Sequence, residues 1–288
     1  MKAKLSRRDF LRILKTIVVD SFLVGIGGSL YSTLIEPLWF DVIEVSLTLP
    51  RLPAKFSGFR IVQISDIHAG EQFMPGHLGP VIDKILELRP DVVAVTGDFV
   101  YSSPQMSDSI LERTGGHLAK LSEVFPVFAV MGNHDHWWDV DRVRTMLLKS
   151  NVSELVNDFF TINRSGSLLH LCGVDDFYER RAKLNPILSR LPEEGSAILM
   201  AHEPDFADKS AISGRFDLQI SGHSHGGQVV VPFYGPPVLP RHGRKYPSGL
   251  YKVLEMYQYT NRGIGMVFPY VRFLCRPEIT LFVLNSPA

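Results

Sequence analysis

Five short clusters of metal-ligating residue types run through this 288-residue chain. They are Asp66-Ile67-His68, Gly97-Asp98, Gly132-Asn133-His134-Asp135, an isolated His202, and Gly222-His223-Ser224-His225. Carboxylate, carboxamide and imidazole together suit a borderline divalent ion such as Mn²⁺, Fe²⁺ or Zn²⁺. Asp66, His68, Asp98, Asn133, His202, His223 and His225 are too many donors for one four-coordinate ion. The pattern therefore predicts two metal ions. Two dications about 4 Å apart repel by roughly 16 kcal/mol at an effective dielectric of about 20, so an anionic side chain has to bridge them. Asp98 suits the bridge, because Gly97 beside it lets backbone and metal approach closely.

Each cluster follows an apolar run: Ile61 to Ile64, Val92 to Val95, Val127 to Met131, Ile198 to Met200, and Leu218 to Ile220. Such runs read as buried strands that deliver the next residues to one edge of a sheet. Between them, Leu78, Val81, Ile82, Ile85 and Leu86 recur at offsets of three and four, the period of an amphipathic helix. The alternation continues through 109–123, 126–131 and 139–149 and predicts an α/β fold with ligands at the carboxyl ends of strands. Alternating residues at 43–49 predict a further strand. Segments 159–163 and 167–173 read as an antiparallel pair joined at Ser165-Gly166, and 227–231, 250–254 and 279–284 read as the last strands. Two mixed sheets packed face to face, with helices outside in a four-layer α/β/β/α sandwich, would accommodate them all.

The net charge is zero, but six cations against Asp9 give residues 1–15 a charge of +5, so the remainder sums to −5. A mildly acidic body excludes a nucleic-acid partner, whose phosphates need a basic face. Cys172 and Cys275 have no ligand-like spacing and read as two buried free thiols. Ser6-Arg7-Arg8-Asp9-Phe10-Leu11-Arg12 resembles the twin-arginine export signal, and an apolar stretch follows to Ile35. Its longest charge-free run, Ser21 to Ile35, falls short of the roughly 20 residues of a comfortable membrane span. Residues 1–40 are thus expected to be a twin-arginine signal or N-terminal membrane anchor, and 41–288 the catalytic domain. The implied partners are the export machinery and the membrane.

The series DxH, GD, GNHD, H, GHxH, over residues 66–225, resembles the calcineurin-like metallophosphoesterase superfamily. The resemblance implies that one metal takes Asp66, His68, Asp98 and His225, and the other Asp98, Asn133, His202 and His223. It implies further that His134 protonates the leaving oxygen while Asp135 orients its imidazole, and that a metal-bridging hydroxide attacks phosphorus. The Gly97-Asp98-Phe99-Val100-Tyr101 stretch lacks the Asp-Arg-Gly continuation of Ser/Thr protein phosphatases, which tilts the expectation from monoesters toward diesters or pyrophosphates. It matches the GDxxY of purple acid phosphatases, but His68 already fills the ligand role that Tyr serves there. A broad phosphomonoesterase, or a metal-binding interaction scaffold, are the alternatives.

With its basic leader and its GHSHGGQ followed by a Pro-rich loop, the chain looks like the membrane-associated YkuE/YaeI phosphohydrolase branch. That branch is related to UDP-2,3-diacylglucosamine pyrophosphohydrolases of lipid A biosynthesis, which makes a nucleotide-linked glycolipid a candidate substrate. Export would place the domain on the extracytoplasmic face; a lipid A precursor enzyme would face the cytoplasm. In the loop from Pro232 to Gly249, Arg241 and Arg244 are candidate substrate contacts. His136, Trp137 and Trp138 either line an apolar pocket or pack their loop onto the body. His170, Asp175 and Asp176 read as structural.

Overall fold

A computed structural model describes residues 7–70, 77–104 and 106–287; Lys2, Lys4 and Ser6 of the basic leader lie outside them. In chain order the elements are α1 (Arg7–Leu30), β1 (Asp41–Thr48), β2 (Phe59–Ile64), α2 (Leu78–Leu88), β3 (Val92–Thr96) and α3 (Asp108–Ser122). β4 (Val127–Val130), α4 (Asn133–Trp138), α5 (Val140–Lys149), β5 (Ser153–Glu154), β6 (Asp158–Arg164) and β7 (Ser167–Gly173) come next. The chain continues with α6 (Asn185–Leu188), β8 (Ser196–Met200), α7 (Ala207–Ser210) and β9 (Leu218–Ser221), then β10 (Gly249–Val253), β11 (Met256–Thr260) and β12 (Glu278–Asn285).

The strands form two six-stranded mixed sheets, ordered β1-β12-β2-β3-β4-β5 and β10-β11-β9-β8-β7-β6. Along β2, Phe59 and Ile61 point into the space between the sheets, where they meet Leu169, Ile198 and Leu218. Val62 and Ile64 point the other way, onto Val81, Ile82 and Ile85 of α2 and Leu118 of α3. That is the two-residue period of a strand covered on both faces, and each such buried side chain contributes roughly 1.5–3 kcal/mol. On the far side of the second sheet, Ala197 and Leu199 pack under Phe206 and Ile187 of short helical turns. The expected four layers are present, although the second outer layer is thin.

The helices start where local chemistry says they should. Ser107 accepts from the Ile110 amide at the head of α3, and Asp139 from the Arg142 amide at the head of α5. One expected strand is absent: 227–231 forms only isolated bridges at Val229 and Val231. Gly226 and Gly227 sit at φ +59° and +82°, which breaks the extended run. The second sheet also takes β11, whose buried Gln258 and Thr260 interrupt its apolar residues. Both cysteines are buried and free.

α1 continues through a π-helical turn, Tyr31–Ile35, and a 3-10 turn, Glu36–Leu38. Its Phe10, Leu14, Val18, Phe22, Ile26 and Leu30 are exposed. No helix among the described residues is long and apolar enough to cross a membrane.

Candidate active site

The five clusters emerge together at one edge of the sandwich. Asp66 follows β2, Asp98 follows β3, Asn133 follows β4, His202 follows β8 and His223 follows β9. The turns that present them are strained: Asp66, His68, Asp98, His223 and His225 all have φ between +45° and +68°. Left-handed backbone costs an L-residue roughly 1–2 kcal/mol, and five such residues in one place persist only where the surroundings over-determine them. Gly97, at φ +93°, is required for a second reason, since a Cβ there would lie 2.6 Å from His202 Nδ1.

All seven predicted donors are buried. Asp66, His68 and His225 bring ligand atoms within 4.8 Å of one another, and so do Asp98, His202 and His223. The two groups touch through Asp98 and His68, whose Oδ2 and Nε2 are 3.5 Å apart. Asp98 Oδ2 also lies 3.1 Å from His202 Nε2. Asp98 is therefore the shared carboxylate.

Whether these residues fit divalent cations can be read from their hydrogen bonds. His202 Nδ1–H donates to the Thr96 carbonyl at 2.7 Å, which turns Nε2, left without a hydrogen-bond partner, toward Asp98. His223 Nε2–H donates to the Arg241 carbonyl at 2.7 Å, freeing Nδ1 for the site. Fixing one ring nitrogen on an oxygen so that the other can ligate is the usual support for a metal-binding histidine. His68 Nε2 and His225 Nε2 face each other at 3.0 Å, and Asn133 Oδ1 is buried with no hydrogen-bond donor. Buried polar atoms left without hydrogen-bond partners, here Asn133 Oδ1 and His202 Nε2, are poor neighbours unless a cation lies among them. The donor set fits.

The electrostatics agree. Burial pushes the Asp66 carboxyl up to about 7, with His202 opposing and Asp98 reinforcing. Burial also works to raise Asp98, but His202, His134 and His68 outweigh it and hold that carboxyl well below the usual range. The His68 imidazole is driven by burial down to about 3 and stays neutral, as a ligand must. Burial opposes charge on His202, yet Asp98, Asp66 and Glu203 together push it well above the ordinary histidine range. Carboxylates in this cleft call for positive charge.

One expected role changes hands. Asp135 does not hold His134: its carboxylate accepts four backbone N–H groups, from Asp98, Phe99, Val100 and Gly132, at 2.8–3.2 Å. It ties the Asp98 turn to the Asn133 turn. The group beside His134 Nδ1 is Ser102 Oγ, at 2.9 Å, while Tyr101 stacks on the ring with centroids 5.4 Å apart. The His134 amide donates to Asp98 Oδ1.

A cavity of about 510 Å³ opens beside the donors. Arg241 lines it, and among the described lining residues it is the sole Lys or Arg. Arg244 is not in the lining; its Nε reaches the Leu239 carbonyl and its amide the Asp205 carboxylate. The loop around Arg244 is thus held by its own contacts, outside the cavity lining. Trp137 lines the cavity and packs on His134, whereas Trp138 lies under Arg142 and His136 pairs with Asp175 at 2.8 Å.

Three contributors had no sequence signal. Glu203 is fully buried and accepts the Phe177 and Tyr178 amides, which sets Tyr178 on the cavity wall. Ser102 is an ordinary serine until the fold places it beside His134. Arg272, also fully buried, donates to the carbonyls of Arg262, Gly263, Gly265 and Cys275. The loop it pins, through Gly265 N–H to the Asp66 carbonyl, backs the first ligand.

Two packed α/β sheets that converge a carboxylate-bridged Asp, Asn and His set on one edge define a metal-dependent hydrolase of phosphate esters. The model of the calcineurin-like phosphoesterase family matches residues 59–227, and the chain belongs to that family. It is 34% identical over 287 residues to the uncharacterized metallophosphoesterase YkuE of Bacillus subtilis, covering 98% of this chain and 99% of that one. It is 30% identical to phosphodiesterase YaeI of Escherichia coli, covering 97% and 99%. A zebrafish (Danio rerio) transmembrane protein with metallophosphoesterase domain is also 30% identical, over 85% of this chain and 57% of its own length.

Proposed function

We propose that this protein is a two-metal phosphodiesterase, with Asp66, His68, Asp98 and His225 around one divalent cation and Asp98, Asn133, His202 and His223 around the other. The observation that carries the reading is Asp98, whose one carboxylate lies against imidazoles of both groups. Bound there, Mn²⁺, Fe²⁺ or Zn²⁺ would act as Lewis acids on the phosphoryl oxygens and acidify water. His134 holds the proton that goes to the leaving oxygen, from Nε2, with Nδ1 kept on Ser102. Tyr101 and Trp137, packed on the same ring, limit its motion.

Two features favour a diester or pyrophosphate over a monoester. Among the described lining residues Arg241 is the lone Lys or Arg, which suits one negative charge at the reacting phosphate better than two. The wall is otherwise largely apolar, with Val229, Val238, Val267 and Phe268 among its residues, and suits an apolar group on the ester. A nucleotide-linked glycolipid such as UDP-2,3-diacylglucosamine is a substrate of that kind. Residues 1–40 address the chain to a membrane, as a twin-arginine signal or an N-terminal anchor, and 41–288 is the catalytic domain; export would place that domain on the extracytoplasmic face and point to a diester other than this cytoplasmic precursor. The test is bis(4-nitrophenyl) phosphate against 4-nitrophenyl phosphate with Mn²⁺ at neutral pH. The diester should have the higher kcat/KM, and a clear preference for the monoester overturns the reading.

A further inference from the structure

The mouth of the cavity is apolar where it meets solvent. Val238 and Phe268 on its rim are 74% and 75% exposed, and Phe233 and Tyr234, in the turn closed between Val231 and Gly235, are 111% and 76% exposed. Single apolar side chains are common on surfaces, but several large ones about one opening mark a binding surface. Phe233 is the most telling. Its φ is +66°, a conformation that a bulky L-residue enters at roughly 1–2 kcal/mol, and its ring gains no burial in return. The fold itself has no use for an aromatic there.

The rim is continuous with the end of the N-terminal helical segment. The Val230 amide donates to the Phe273 carbonyl, and the Arg272 amide to the Ser32 carbonyl. Glu36, buried, accepts the Leu274 and Cys275 amides. Beside this seam Leu34, Ile35, Leu38 and Trp39 are exposed, and Arg276 lies over the Trp39 ring at 3.5 Å. Aromatic rings with neighbouring cations are what a lipid–water boundary selects. Helix α1 adds Arg7, Arg8, Arg12 and Lys15 against Asp9 and Asp20, a charge that anionic headgroups attract.

We propose that this rim docks on an anionic lipid surface and that the cavity receives the apolar end of a lipid-borne phosphodiester directly from it. The second half rests on the phosphodiesterase reading above; the first does not. The Val231–Gly235 turn is the part that enters the lipid, with Phe233 at its tip, and Val238 and Phe268 form the passage from lipid to the phosphate site. A protein partner would meet a rim with little to hydrogen-bond, since the four outermost side chains offer only the Tyr234 hydroxyl.

The test uses the full chain and a Phe233→Asn/Tyr234→Ser variant, in which asparagine tolerates the left-handed backbone and neither position lines the cavity. Partition onto vesicles of phosphatidylethanolamine and phosphatidylglycerol should fall about tenfold in the variant, with α1 unchanged in both. Equal partition overturns the docking surface, whether or not any ester is cleaved. With Mn²⁺, 4-nitrophenyl hexadecyl phosphate carried in those vesicles should lose about tenfold in kcat/KM, while 4-nitrophenyl methyl phosphate in solution should keep its rate. Equal effects on the two esters overturn lipid delivery. Failure of the wild type to cleave either ester removes the catalytic reading together with lipid delivery, and leaves docking to be judged by partition alone.

Discussion

Ser102 Oγ lies 2.9 Å from His134 Nδ1, at the place where an aspartate was expected. A hydroxyl partner fixes the ring without adding a negative charge beside it. Burial lowers the His134 pKa, and the charge on Asp98 opposes that shift only in part. Removing the hydroxyl should thus disturb orientation more than substrate binding. Ser102→Ala is expected to lower kcat by about tenfold on an alkyl leaving group, with KM little changed. On a 4-nitrophenyl leaving group, which departs without a proton, the loss should vanish. Ser102→Thr should restore the alkyl rate; a uniform loss on both leaving groups would assign Ser102 to packing.

Asp135 is expected to matter for stability. Asp135→Asn replaces one of two accepting oxygens with an amide that opposes N–H donors, at a cost of roughly 1–3 kcal/mol for buried groups left unpaired. Thermal unfolding with and without metal reads it. An unchanged Tm with lost activity would return Asp135 to the role of orienting His134.

The two arginines of the Pro232–Gly249 loop should part company. Arg241→Ala is expected to raise KM for a diester about tenfold, or about 1.4 kcal/mol, because its side chain faces the cavity. Arg244→Ala should leave KM within twofold. Equal effects would mean that the loop acts as one structural unit.

Arg272 buries its whole guanidinium among four carbonyls beneath the Asp66 turn. Burial lowers its pKa, with Cys275 opposing. Arg272→Met fills much of the volume but leaves those carbonyls unpaired, and is expected to cost about 3–5 kcal/mol. Denaturant unfolding measures it. A loss below about 1 kcal/mol would show that water replaces the guanidinium without consequence.

The ligands were legible because each is short-range: an apolar run, then a Gly or a turn, then the donor. Asp66, Asp98, Asn133, His202 and His223 all obey that local grammar, and the same runs implied both sheets. What stayed hidden depends on contacts between distant segments. Ser102 meets His134 across 32 residues, Glu203 meets Tyr178 across 25, and Glu36 meets Cys275 across 239. β11 was hidden for a different reason, since its buried Gln258 and Thr260 are polar and interrupt any apolar run. The resemblance implied that Asp135 holds the His134 imidazole, whereas neighbouring side chains in a helical turn diverge, and the Asp135 carboxylate turns to backbone amides instead.

Metal stoichiometry bears on the central claim most directly. The purified chain, loaded with Mn²⁺ and freed of excess, should hold two ions by elemental analysis, and Asp98→Ala should hold fewer than one, because its carboxylate is the one shared by both groups. His134→Ala should keep both while kcat on a diester with an alkyl leaving group falls by about 10²–10⁴. A single ion in the wild type, or an Asp98→Ala variant that still holds two, would contradict the account.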